Sequence, residues 1–178
     1  MNKEKLEEIF HNHGFSNFKW IDPKDIEVSY WVRFKCKFAC DYYGERSNCP
    51  PNTPPVDKCK QFFREYSKAV IFHIRKTLEG SEEKGDWYKK INSSLRNIEK
   101  DVFLQNYPKA IMFPIGDCNL CDSCEADRKK CNHKQKSRPV PDAMAVDLFK
   151  TAEKYNFSIR TLSNYDEEMN RYAILMVE

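Results

Sequence analysis

At 178 residues, the chain is long enough for one domain with a buried core, and 40% apolar with 13% aromatic residues exclude a disordered composition. The 30 basic and 27 acidic residues leave a net charge of +3, a near-balance that argues against nucleic acid as the main partner. No apolar run approaches the roughly 20 residues of a bilayer span, and the charged start MNKEKLEEIF has no signal-peptide stretch, so a cytoplasmic protein with no membrane partner is expected.

KLEEIFHNHGF (5–15) reads as a short helix ended by Gly14, with His11 and His13 as basic residues near its C-terminus. IEVSYWVRFKC (26–36) carries β-branched and aromatic residues in partial alternation and predicts a strand running into Cys36. CDYYGERSNCPPNTPP (40–55) is loop by its Gly, Asn and Pro content. A helix then starts from Thr53 as N-cap, with Val56, Cys59, Phe63 and Tyr66 on one face. AVIFHIRK (69–76) predicts a strand in which His73 is structural or faces solvent.

Residues 85–107 form a long amphipathic pattern in which Trp87, Ile91, Leu95, Ile98 and Val102 make a core stripe. KAIMFPI (109–115) gives a second apolar strand that delivers the chain to Gly116 and Cys118. After a cysteine loop, 141–157 predicts a helix with Ala145, Leu148, Phe149, Ala152 and Tyr155 inward. SIRTLS (158–163) and YAILMVE (172–178) predict the closing strands of a hairpin. The order suggests a single α+β domain over 1–178, with a mixed or largely antiparallel sheet packed by helices and two cysteine-rich loops at strand ends.

In a reducing compartment, eight cysteines read as metal-binding or redox-active rather than disulfide-forming. The same reasoning sets aside the glycosylation patterns at Asn92 and Asn156. Gathered thiolates repel one another and lose hydration unless a positive centre lies between them. CNLCDSCEADRKKC (118–131) places Cys118, Cys121 and Cys124 in a continuous C-x2-C-x2-C run, which lets one loop present three thiolates to three irons of a cubane, as in bacterial ferredoxins. Zinc sites more often use two separated pairs. The local fourth ligand is Cys131, with His133 as the alternative and a solvated histidine as the plainer role for that residue.

The upstream group is Cys36, Cys40, Cys49 and Cys59, spaced x3, x8 and x9. Cys59 lies on an apolar helix face, where a thiol can be either a ligand or a small core residue. Because Cys49 precedes Pro50, ligation crossed between the two groups stays open. The basic residues Arg128, Lys129, Lys130, Lys134, Lys136 and Arg138 make a solvated loop, offset the charge of a cluster, or dock an acidic redox partner through 128–138. No phosphate-binding loop, dinucleotide fingerprint, zinc-protease motif or radical SAM cysteine pattern is present, and nothing points to a substrate pocket.

KCKFACDYYGERSNCPPNTPP (35–55) resembles a signature of the DUF2284 family of predicted metal-binding prokaryotic proteins. The segment 116–156 is similar to a second signature of that family, in which Arg138, Pro139, Met144 and Asp147 accompany the cysteine run. The resemblance runs roughly from Trp31 to Asn156 and implies Cys36, Cys40, Cys49, Cys118, Cys121, Cys124 and Cys131 as metal ligands, with Cys59 outside the pattern. RPVPDA (138–143) departs by lacking a serine ahead of the methionine, which touches a helix cap and not the ligands. Residues and resemblance together lead to the expectation of two [4Fe–4S] clusters in an electron carrier or accessory subunit, with a redox protein as partner. The alternatives are a zinc-stabilised protein-binding module and an enzyme using an open-site cluster; whether the chain is an enzyme is left undecided.

Overall fold

A computed structural model of the chain describes residues 1–77, 82–164 and 167–178. In chain order the elements are α1 (Lys3–Asn12), β1 (Phe18–Ile21), α2 (Tyr30–Ala39), α3 (Val56–Arg64), β2 (Ala69–Lys76), α4 (Glu82–Leu104), β3 (Ile111–Phe113), α5 (Leu148–Lys154) and β4 (Met169–Met176). The strands form one sheet in the order β1-β2-β4-β3, with every neighbouring pair antiparallel. The fold is therefore α+β with an antiparallel sheet.

Alternate residues of a strand face opposite sides, and both sides of this sheet are covered. Val70 and Phe72 of β2, with Ala173 and Leu175 of β4, pack with Leu6 and Phe10 of α1 and Leu95, Ile98 and Val102 of α4. Ala69 and Ile71, with Ile174 and Met176, pack with Cys59 and Phe63 of α3 and Ala152 of α5. Two-sided burial explains the near-continuous apolar composition of β2 and β4. His73 keeps a structural place on β2, with hydrogen bonds to Asn17 (2.9 Å) and Asn170 (2.6 Å) and a stacked Tyr172 ring.

Several expected elements differ. The strand expected over 26–36 is instead helical from Tyr30, because Tyr30, Phe34 and Phe38 recur every four residues along one exposed helix face rather than alternating. Ser158–Leu162 forms no strand, and both edges of β4 are already filled by β2 and β3. The additional strand is β1, which the sequence pattern did not reveal. The helix expected over 141–157 is interrupted: a 3-10 turn at Asp142–Met144 ends in left-handed Ala145 (φ 60°), and α5 begins only at Leu148. That break in phase turns Phe149 outward, 42% exposed. Thr53 does not cap α3, which starts at Val56; its hydroxyl donates to the Ala143 carbonyl (2.9 Å).

Candidate metal centres

The downstream cysteine loop leaves β3 through Pro114, Ile115 and Gly116. Gly116 has φ +69°, and a Cβ there would come within 2.7 Å of the Tyr88 ring, so both backbone and packing require glycine. Asn92 of α4 fixes this exit: its amide nitrogen donates to the Ile115 carbonyl (2.9 Å) and its oxygen accepts from the Ile115 N–H (3.2 Å). At the other end of the loop, Arg138 grips Glu99 of α4 through Nε and one terminal nitrogen, the shortest bond being 2.7 Å. The second Glu99 oxygen accepts from the Met112 N–H of β3 (2.7 Å). Asn92 and Glu99 are seven residues apart and so share a helix face. One face of α4 therefore holds both ends of the loop.

Within that loop, Cys118, Cys121, Cys124 and Cys131 line one narrow cavity together with Arg46, Ser47 and His133. The Ser47 N–H donates to Cys124 Sγ (3.3 Å), and the Arg128 guanidinium approaches Cys131 Sγ (3.9 Å). Burial resists ionisation at Cys124, but N–H donation from Ser47 and Ala126 carries its thiol below the usual range. Cys131 is also lowered: burial opposes the shift, and Ser47, the His133 backbone and Arg128 outweigh it. Cys121 moves the other way through its own desolvation and the neighbouring Cys118, Cys124 and Cys131. Hydrogen bonds to sulfur of this kind stabilise thiolates and tune any metal they bind.

The upstream thiols are held differently. Cys36 lies on the last turn of α2, Cys40 follows as its C-cap, and Cys49 sits in the succeeding loop. Cys36 is raised by burial and by adjacent Cys40, with Arg33 opposing. Cys49 is pushed up to about 12 by burial, with Cys36 and Cys40 adding to the effect. These mutual influences mark Cys36, Cys40 and Cys49 as one group. Cys59 is not brought to it. That residue is fully buried on α3, in the core face of the sheet, and its thiol donates to the Pro54 carbonyl (3.3 Å).

The two groups are neighbours because their loops interlock. Arg46 pairs with Asp117 (3.6 Å), Asn48 donates to the Arg138 carbonyl (2.8 Å), and Asn52 donates to the Ala126 carbonyl (2.7 Å). Cys49 lies within the electrostatic reach of Cys36 and Cys40 and also of Asp117, the neighbour of Cys118, so it borders both groups. The basic loop is partly consumed by structure: Arg138 holds Glu99, and Arg128 donates to the Lys134 carbonyl (2.8 Å). Lys129, Lys130, Lys134 and Lys136 remain exposed, as does His133. Asp147 accepts from Trp31 Nε1 (3.0 Å) and caps α5 through the Lys150 N–H (3.1 Å), which is a structural role.

Sequence reasoning missed Asn92, Glu99, Ser47 and Gly116 as residues that build the site. Asn92 and Glu99 did carry a signal, since both are polar and lie in the half of α4 that faces the sheet. Among the described residues, no three or more His, Cys, Asp or Glu side chains are set as a ready-made cage for a metal ion. The fit to a metal lies in the donor set, four thiols around one cavity with N–H groups directed at two of them. Among the described residues, no helix is long and apolar enough to cross a membrane. The family described as predicted metal-binding protein (DUF2284) matches residues 19–177. No curated protein and no solved structure matches the chain.

Proposed function

The chain belongs to the DUF2284 family of predicted metal-binding proteins, and from that premise we propose that it is an iron–sulfur protein with two [4Fe–4S] clusters. Cys118, Cys121, Cys124 and Cys131 hold one cluster; Cys36, Cys40 and Cys49 hold the other. Its role is electron transfer, as a small carrier or as an accessory subunit. The carrying observation is the single cavity ringed by all four downstream thiols, which a C-x2-C-x2-C run supplies.

A bound cluster supplies one-electron chemistry. The chain's own residues supply the ligands, the N–H donors of Ser47 and Arg128, and the clamp from α4. Lys129, Lys130, Lys134 and Lys136 are exposed on the loop that carries this centre, where they would meet an acidic redox partner in the cytoplasm.

Anaerobic purification followed by iron, acid-labile sulfide and zinc assays tests the reading. It predicts about eight irons and eight sulfides per chain, with a broad visible absorbance that bleaches with dithionite. A colourless protein with stoichiometric zinc would overturn it in favour of a zinc-stabilised binding module.

A further inference from the structure

Helix α2 turns an aromatic stripe outward. Tyr30, Phe34 and Phe38 leave 65%, 65% and 66% of their area exposed, and Trp31 leaves 45%. At about 100° per residue, the first three cover about 80° of the helix circumference and Trp31 extends the stripe by about 20°. The Phe34 and Phe38 rings lie against each other, with centroids 4.5 Å apart. Val32, the buried residue of the helix, lies on the opposite side. A cleft of about 520 Å³ borders the stripe, with Trp31 and Phe149 in its wall beside Lys35, Cys36, Cys40 and Arg171, so apolar surface continues onto α5. Contiguous exposed apolar surface marks a place where a protein or a membrane docks.

The charges around the stripe separate those two occupants. Lys37 stands about 20° outside the stripe on the Tyr30 side and Lys35 about 40° outside it on the Trp31 side, so a lysine flanks each edge. Both are exposed, and Lys37 Nζ lies 5.5 Å from the Phe38 ring centre. The helix itself contains no Asp or Glu. Asp57 of α3 accepts from the Tyr30 hydroxyl (2.7 Å) at the first residue of α2, and Asp41 and Glu45 follow its end. A second copy of the chain docked here would set lysine against lysine. Protein interfaces deplete lysine and favour arginine beside their aromatic residues. Aromatics rimmed by lysines, whose stems cover apolar surface while their ammonium groups reach phosphate, suit a helix lying on anionic lipid.

We propose that α2 docks the chain on an anionic lipid surface, the aromatic stripe seated in the headgroup layer and Lys35 and Lys37 meeting lipid phosphates. The expectation of no membrane partner rested on the lack of a spanning segment, and a helix lying in the headgroup layer needs none. Docking brings Cys36 and Cys40, at the end of the same helix, to the lipid surface. No bond is made or broken, and the inference is independent of which metal the thiols hold.

The test is co-sedimentation of the anaerobically purified full chain, its iron and zinc assayed, with two kinds of vesicle. One is an equal mixture of phosphatidylglycerol and phosphatidylcholine; the other is phosphatidylcholine alone. Binding to the mixed vesicles should saturate, weaken as salt rises, and exceed binding to the neutral ones by about tenfold or more. Phe34→Ser with Phe38→Ser should weaken it about a hundredfold. Lys35→Glu with Lys37→Glu should weaken it about tenfold or more. All four side chains are exposed, so metal content and the urea midpoint should not change. Lys129→Glu with Lys130→Glu, on the other basic segment, should bind as wild type does. Hydrogen exchange on wild type provides a readout that needs no variant: mixed vesicles should slow exchange over 30–39 and leave 128–138 unchanged.

Absence of binding to the mixed vesicles, equal binding to both kinds, or binding that survives the α2 variants would overturn the proposal. A dimer in ultracentrifugation that Phe34→Ser with Phe38→Ser dissolves would assign the face to a second copy instead. Vesicle binding by a colourless zinc protein would sink the iron–sulfur reading and leave the docking face standing. Protein loaded with both clusters yet indifferent to vesicles would do the reverse.

Discussion

The two cysteine groups are close neighbours built on opposite principles. The downstream four lie in a loop clamped at both ends by α4, and N–H groups from Ser47 and Arg128 meet two of the sulfurs. The upstream three lie at the end of α2 and in the loop beyond it, Cys36 and Cys40 beside an open cleft, and burial opposes ionisation of Cys36 and Cys49. Cys124 and Cys131 are thus preset toward the thiolate, whereas Cys36 and Cys49 retain their protons, as does Cys121 in the downstream loop.

Thiol reactivity offers the largest contrast with which to break this comparison. The thiolate is the nucleophile. With metal removed, iodoacetamide at mildly alkaline pH should therefore modify Cys124 and Cys131 before Cys49, by about a hundredfold in rate. Mass spectrometry of the peptides reads the order. The sign follows from the shifts: lowered thiols are ionised at lower pH, whereas Cys49 keeps its proton until pH nears about 12, so raising the pH should narrow the gap. Equal rates at all pH values would remove the electrostatic distinction.

The clamp gives the next effect. Arg138→Met would leave half-buried Glu99 without its cation, for a loss of about 2 kcal/mol in urea unfolding, less than for a fully buried pair. Asn92→Ala would strip the Ile115 backbone of both its partners, again about 2 kcal/mol or slightly less. Both variants should loosen the downstream centre while the upstream group keeps its metal. Cys59→Ala is the smallest, about 1 kcal/mol from lost packing with metal content unchanged. Loss of metal in that variant would return Cys59 to the ligands.

How far the sequence could lead depended on the range of the signal. The β2 run at 69–76 and the α4 stripe are local patterns with one buried outcome, and both appear where periodicity put them. The C-x2-C-x2-C run was also local, and its thiols share one cavity. Helix α2 failed as a strand because aromatic content outweighed the four-residue spacing of Tyr30, Phe34 and Phe38. Cys59 stayed undecided because a thiol on an apolar face reads the same whether it packs or ligates. The clamp and the cleft join residues far apart in the chain, Glu99 with Arg138 and Cys36 with Arg171, and no window of sequence holds both members.

Two separate thiolate centres, one with four ligands and one with three, are the central proposal. Iron and acid-labile sulfide per chain, measured side by side in wild type, Cys49→Ala, Cys124→Ala and Cys59→Ala, address it most directly. The expected irons are about eight in wild type and in Cys59→Ala, and about four in each of the other two, sulfide matching iron throughout. Loss of all iron from both Cys49→Ala and Cys124→Ala would mean one shared centre and would contradict the account.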